Sequence, residues 1–84
     1  MSYEKVKQAK LKMIGTKQAM KAVENGFADK VYVARDADVR ITGKIVALCE
    51  HKGITVCYVE SMSRLGKACG IDVGAAVVAV KDEV

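Results

Sequence analysis

Eighty-four residues suffice for one domain and are too few for two, so any site must share a single scaffold. The apolar share is 51% and almost wholly aliphatic, with one Phe, three Tyr and no Trp, which excludes a disordered tail and disfavours a single-strand binder built on stacked aromatics. The formal charge of +4 is uneven: residues 1–21 hold six lysines (Lys5, Lys7, Lys10, Lys12, Lys17, Lys21) against Glu4, a net of +5, while residues 22–84 hold eight basic and nine acidic residues, a net of −1.

With no proline in the chain, glycines and capping residues mark the boundaries. Ser2 caps a first helix predicted over Tyr3–Lys12, with Val6, Ala9 and Met13 at i, i+3 and i+7. Gly15 interrupts it, and Thr16 is the natural N-cap of a second helix to Asn25, stopped by Gly26. Lys30–Ala34 is β-branched and reads as a buried strand. Arg35–Asp38 turns the chain, and Asp38 caps a third helix to Lys52, with Ile41, Ile45, Leu48 and Cys49 as its apolar stripe and Gly53 as its stop. Thr55–Val59 is a second strand. Ser61 caps a fourth helix carrying Met62, Leu65 and Cys69 on one face, and Gly70 ends it. Ala75–Val80 is a further apolar strand, and the tail from Lys81 to Val84 is expected to fray. Helices alternating with fully apolar strands predict an α/β fold, a three-layer α/β/α sandwich, to which Met13-Ile14 could add a short strand.

Chemistry has few places to sit. Cys49, Cys57 and Cys69 form no C-x-x-C pair, and His51 alone does not complete a zinc site, so free thiols in a reducing cytosol are expected, with no metal. No secretory signal is evident, and no apolar run approaches the ~18 residues of a membrane span. A cytoplasmic protein, with no membrane partner and acting as a monomer, is the expectation. His51 lacks a placed partner for general-base work. Gly66-Lys67-Ala68-Cys69-Gly70 lacks the spacing and the strand-to-helix context of a nucleotide-phosphate cradle. Asp36 and Asp38 are better read as turn and cap residues. The chain is not expected to be an enzyme, and no catalytic residue or cofactor is assigned.

Two segments carry more information. Gly15-Thr16-Lys17-Gln18 opens a helix whose first amides lack intrahelical partners and whose dipole favours an anion. On a helical wheel Lys17, Gln18 and Lys21 share one arc, with Ala19, Met20 and Val23 roughly opposite. Two cations and an amide at a helix start suit phosphates and base edges, although a capped amphipathic helix with a solvated face has the same pattern. Ile71 and Val73 lie on a glycine-bounded loop, where they either tuck into the core or await a partner.

The succession Ile14-Gly15-Thr16 with Lys21, then Val33-Ala34-Arg35-Asp36-Ala37-Asp38, then Tyr58-Val59 before Leu65-Gly66-Lys67-Ala68-Cys69-Gly70-Ile71-Asp72-Val73, resembles the kink-turn-binding ribosomal protein superfamily over about residues 5–80, most nearly its short bacterial ribosome-associated members. The resemblance implies a four-stranded mixed sheet with its extra strand around Met13-Ile14. It also implies a partner: structured RNA containing a kink-turn, in ribosomal RNA or an mRNA leader, bound and stabilised without catalysis. In that family the helix start reads tandem sheared G·A pairs, a role that falls by position on Gly15, Thr16, Lys17, Gln18 and Lys21. The loop Ile71-Asp72-Val73-Gly74 would cover a flipped-out nucleotide, and Lys67 and Arg35 are placed to meet backbone phosphates. There are two departures from the family pattern: Lys17-Gln18 replaces an Asn-Glu pair, and Gly74 replaces a proline. Some members act through protein partners, so a protein-interaction module using Ile71 and Val73 is the alternative.

Overall fold

Lys30–Ala34 and Val77–Lys81 are too apolar to leave either side wet, and the fold covers both. A computed structural model describes residues 2–81 as α1 (Ser2–Gln8), β1 (Leu11–Ile14), α2 (Thr16–Glu24), β2 (Lys30–Ala34), α3 (Val39–Lys52), β3 (Thr55–Val59), α4 (Met62–Ala68) and β4 (Val77–Lys81). The Ser2 side chain and residues 82–84, offered by the sequence as a helix cap and a frayed end, lie outside the described residues. The strands form one mixed sheet in the order β1-β4-β2-β3, antiparallel except for the β2–β3 pair.

Alternation along the two central strands splits the core in two. Tyr32, Ala34, Val78 and Val80 point to one face, where they pack with Val6 of α1 and Leu65 of α4. Val31, Val33, Val77 and Ala79 point to the other, against Ala19 and Val23 of α2 and Ile45 and Cys49 of α3. This is the expected α/β/α sandwich.

Three local expectations need correction. The first helix stops at Gln8, not Lys12, and Leu11–Ile14 becomes an edge strand paired from Leu11↔Lys81 to Ile14↔Val78. The spacing of Val6, Ala9 and Met13 fits a helix, but strand pairing satisfies the backbone edge that β4 would otherwise leave open. In α3 the buried stripe is Thr42, Ile45 and Cys49, while Ile41 is 48% exposed and Leu48 half-buried. Thr42 tolerates burial because its hydroxyl can donate to the Asp38 carbonyl at 3.5 Å. The last strand begins at Val77 rather than Ala75 and includes Lys81.

The caps of α3 and α4 follow the sequence. Asp38 accepts from the Arg40 amide at 2.9 Å, and Ser61 from the Arg64 amide at 3.0 Å. The hydrogen bonds from the Arg40 side chain and amide hold the Asp38 carboxyl below its usual range, so its stabilising contribution is present near neutrality and fades as acid protonates it. Ser61→Ala leaves a first-turn amide unsatisfied and is expected to cost about 1 kcal/mol. Thermal unfolding followed by circular dichroism should show a midpoint lowered by roughly 4–8 °C. An unchanged midpoint would mean that water caps α4 equally well.

Candidate nucleic-acid interface

The sheet register gathers four loops at one end. Ile14 lies opposite Val78, Val33 opposite Val77 and Ala34 opposite Val59. The chain therefore leaves β1, β2 and β3, and enters β4, on the same rim. Short hydrogen bonds bind the rim together: Gly15 N–H to the Val77 carbonyl at 3.0 Å, Ala34 N–H to Ala76 at 2.9 Å and Arg35 N–H to Val59 at 2.8 Å. The Met62 amide donates to Asp36 Oδ1 at 2.9 Å, and the Ala75 amide to the Met62 carbonyl at 3.0 Å, which fastens the start of α4 to both neighbouring loops.

The start of α2 is more open than a threonine cap would leave it. Gly15, not Thr16, is the N-cap, with φ 100° and ψ 155°, and no side chain closes the helix end. The reason is β1: Ile14 is still paired with the sheet, so the chain must enter the helix through one residue, in a conformation essentially restricted to glycine. The Gly15 carbonyl accepts from Ala19 at 2.9 Å. Among the described residues, the amides of Thr16, Lys17 and Gln18 find no acceptor within the protein, and the first turn carries no acid. Lys17, Gln18 and Lys21 are exposed, Thr16 half-buried, and neither lysine enters an ion pair among the described residues. The inner face is Ala19, Ala22 and Val23, with Met20 only half-buried.

The loop before β4 divides the two residues that the sequence could not place. Ile71 is half-buried, its amide bound to the Gly66 carbonyl at 3.1 Å, whereas Val73 is 69% exposed, flanked by exposed Asp72 and Gly74. Gly66 makes this possible, since a Cβ there would overlap the Val73 carbonyl. Gly74 lies against α4 in turn: a Cβ on it would stand 3.1 Å from Met62 Cβ. Arg35 is exposed on the same rim, its guanidinium 5.7 Å from the centre of the Tyr58 ring. Lys67 instead lines a depression between α1 and α4 with Tyr3, Lys7 and Arg64.

Sequence reading missed Tyr58 and Val39. Both are exposed, Val39 by 76%, and they line a shallow depression with Arg35, Ala37 and Thr42. Val39 is the first residue of α3; Tyr58 lies in a strand of apolar residues that reads as buried, but β3 is a sheet edge, and only the strand order reveals that.

Matches to known proteins agree with this architecture. Residues 2–84 match the ribosomal protein L7Ae/L30e/S12e/Gadd45 family. The chain belongs to that family. Its relatives include a Halalkalibacterium halodurans protein named RNA-binding protein BH0128, 54% identical over 81 residues that span 96% of this chain and 99% of the other. RNA-binding protein YbxF of Geobacillus stearothermophilus is 51% identical over 80 residues, spanning 95% and 98%. Among solved structures, a Giardia lamblia 15.5kD RNA binding protein superposes with a TM-score of 0.89 at 31% identity, covering 98% of this chain and 72% of that one.

Within this L7Ae-type fold the remaining reactive groups are quiet. The three cysteines are free; burial pushes the Cys49 thiol up and also raises that of Cys69, against an opposing pull from Lys12. His51 is exposed. Among the described residues no three His, Cys, Asp or Glu side chains come together as a metal site, and no helix is long and apolar enough to cross a membrane.

Proposed function

We propose that this protein is a non-catalytic RNA-binding protein of the cytoplasm that recognises and stabilises kink-turns in structured RNA, ribosomal RNA or an mRNA leader being the natural setting, and that it acts as a monomer. The bare tip of α2 carries the reading: three amides without acceptors among the described residues, the positive end of the helix dipole, two exposed lysines and an exposed amide side chain, with no acid in the first turn. Relatives over half identical along nearly their whole length bear the name RNA-binding protein, which supports RNA as the polyanion.

The physics favours a distorted target. Regular A-form RNA hides its major groove from side chains, so proteins read bulges, bends and opened pairs. A sharp bend also crowds phosphates, and a cationic helix end relieves that repulsion. Binding only the bent form shifts the population toward it by no more than the difference in affinity for the two forms. Gln18 and the α2 lysines would read the sheared G·A pairs, Val73 and its loop neighbours would cover the extruded nucleotide, and Arg35 would meet phosphate.

A gel shift tests this directly. A kink-turn RNA is expected to bind at least tenfold more tightly than the same RNA with its G·A pairs disrupted, about 1.4 kcal/mol or more. Equal affinity for the two would reject base-specific recognition and leave only charge attraction.

A further inference from the structure

The N-terminal positive charge is not all spent at α2. Lys5, Lys7 and Lys10 lie on or just after α1, on the sheet face opposite α2. Val6 anchors α1 and is fully buried, so successive turns of about 100° send Lys5 and Lys7 out on opposite flanks of that anchor. Lys7 lines a depression with Arg64, Lys67 and Tyr3, and Lys5 lines another with Gln8, Lys10 and Lys30. The Tyr3 hydroxyl accepts from the Ser61 amide at 3.2 Å, which fixes its ring in the first depression. Six cations thus surround α1. Lys5, Lys7, Lys10, Lys30 and Lys67 enter no ion pair among the described residues, and Arg64 only a loose, exposed contact with Glu60 at 3.4 Å. Among the described residues the band is thus almost free of opposing charge.

We infer that the face around α1 is a second RNA-contacting surface, which grips the phosphate backbone of a regular duplex stem without reading its sequence. The inference rests on RNA as the partner but not on kink recognition. Flexible ammonium groups spread across two shallow depressions suit a track of phosphates, and they lack the planar, bidentate geometry that would distinguish bases. Lys67 joins this band to the rim, because the adjacent Gly66 packs against Val73. A stem leaving the kink could therefore remain on protein past the α2 site.

The test uses three RNAs: a plain duplex without bulge or kink, a kink-turn, and that kink-turn with its G·A pairs disrupted. Lys5→Gln, Lys7→Gln and Lys10→Gln combined should weaken plain-duplex binding tenfold or more. The slope of log affinity against log salt should flatten by roughly three, as for three lost phosphate contacts. Preference for the intact kink-turn over the disrupted one should persist. All three lysines are exposed, so an unchanged circular dichroism melt verifies the fold. Lys44→Gln with Lys52→Gln, removing two charges from α3, should shift duplex affinity less than twofold. If the α1 and α3 sets weaken binding equally per charge, or if the triple variant binds duplex as the wild type does, the α1 surface is refuted. Loss of kink-turn preference in the wild type refutes the α2 reading alone, because the duplex measurement does not depend on it.

Discussion

Gly66→Ala is expected to lower stability by about 2–3 kcal/mol, with a fall in unfolding midpoint of roughly 10–20 °C. Propensity predicts the opposite sign, since alanine in a helix interior ordinarily gains about 0.5–1 kcal/mol over glycine. Packing decides. The new Cβ would overlap the Val73 carbonyl oxygen and stand 3.0 Å from its carbon and 3.3 Å from Gly74 Cα, all backbone atoms that cannot rotate away. The loop would have to lift off α4, and the loop is tied at both ends, by Ile71 N–H to Gly66 and by Ala75 N–H to Met62. Gly43→Ala in α3 supplies the control. It is an exposed helical glycine with nothing within 4 Å of its added Cβ, and it should gain about 0.5–1 kcal/mol. Denaturant unfolding of the two variants reads the difference in sign. If Gly66→Ala were also stabilising, the loop would have to be far looser than its hydrogen bonds indicate. In a binding assay the Gly66 variant should also lose kink-turn affinity, since displacing the Val73 loop disturbs the rim beside α2.

That contact also shows why part of the site was legible in the sequence and part was not. Residues governed by their neighbours in the chain were readable. The β-branched runs Lys30–Ala34 and Thr55–Val59 are strands with the boundaries expected, and Asp38 and Ser61 cap the helices that follow them. Residues governed by distant partners were not. Whether Leu11–Ile14 extends a helix or forms a strand depends on the unpaired edge of β4, some seventy residues away. Whether Gly15 or Thr16 caps α2 depends on that same pairing, which leaves one residue for the turn. Ile71 and Val73 look alike in sequence, and only the folded loop separates them, Ile71 half-buried and Val73 exposed. Tyr58 is exposed because β3 is an edge strand, and strand order is a property of the whole sheet. The resemblance drawn from motif order pointed to the rim, but the missing side-chain cap on α2 and the lysine band around α1 arise from how distant segments pack.

Lys21→Ala is expected to weaken kink-turn binding by about 1–3 kcal/mol, the range for a base-reading contact. Lys21 is exposed one turn into α2, on the same arc as Lys17 and Gln18, and enters no ion pair among the described residues, so removing it should leave the melt unchanged. An unchanged dissociation constant would take Lys21 out of the site. Loss of affinity alone does not distinguish a base reader from a bare charge, and a paired exchange does. Lys17→Asn with Gln18→Glu restores the residue types that the resemblance leads one to expect and lowers the formal charge by two. If the α2 tip reads bases, the new carboxylate is a better acceptor for guanine amino groups than the Gln18 carbonyl, and preference for the intact kink-turn should rise several-fold. Affinity for disrupted RNA should fall at the same time, and the salt slope should flatten by roughly one to two. The two readouts move in opposite directions only if the helix end contributes both a field and a pattern. Were preference to fall together with affinity, Lys17 and Gln18 would be supplying charge alone, and recognition would have to lie elsewhere on the rim.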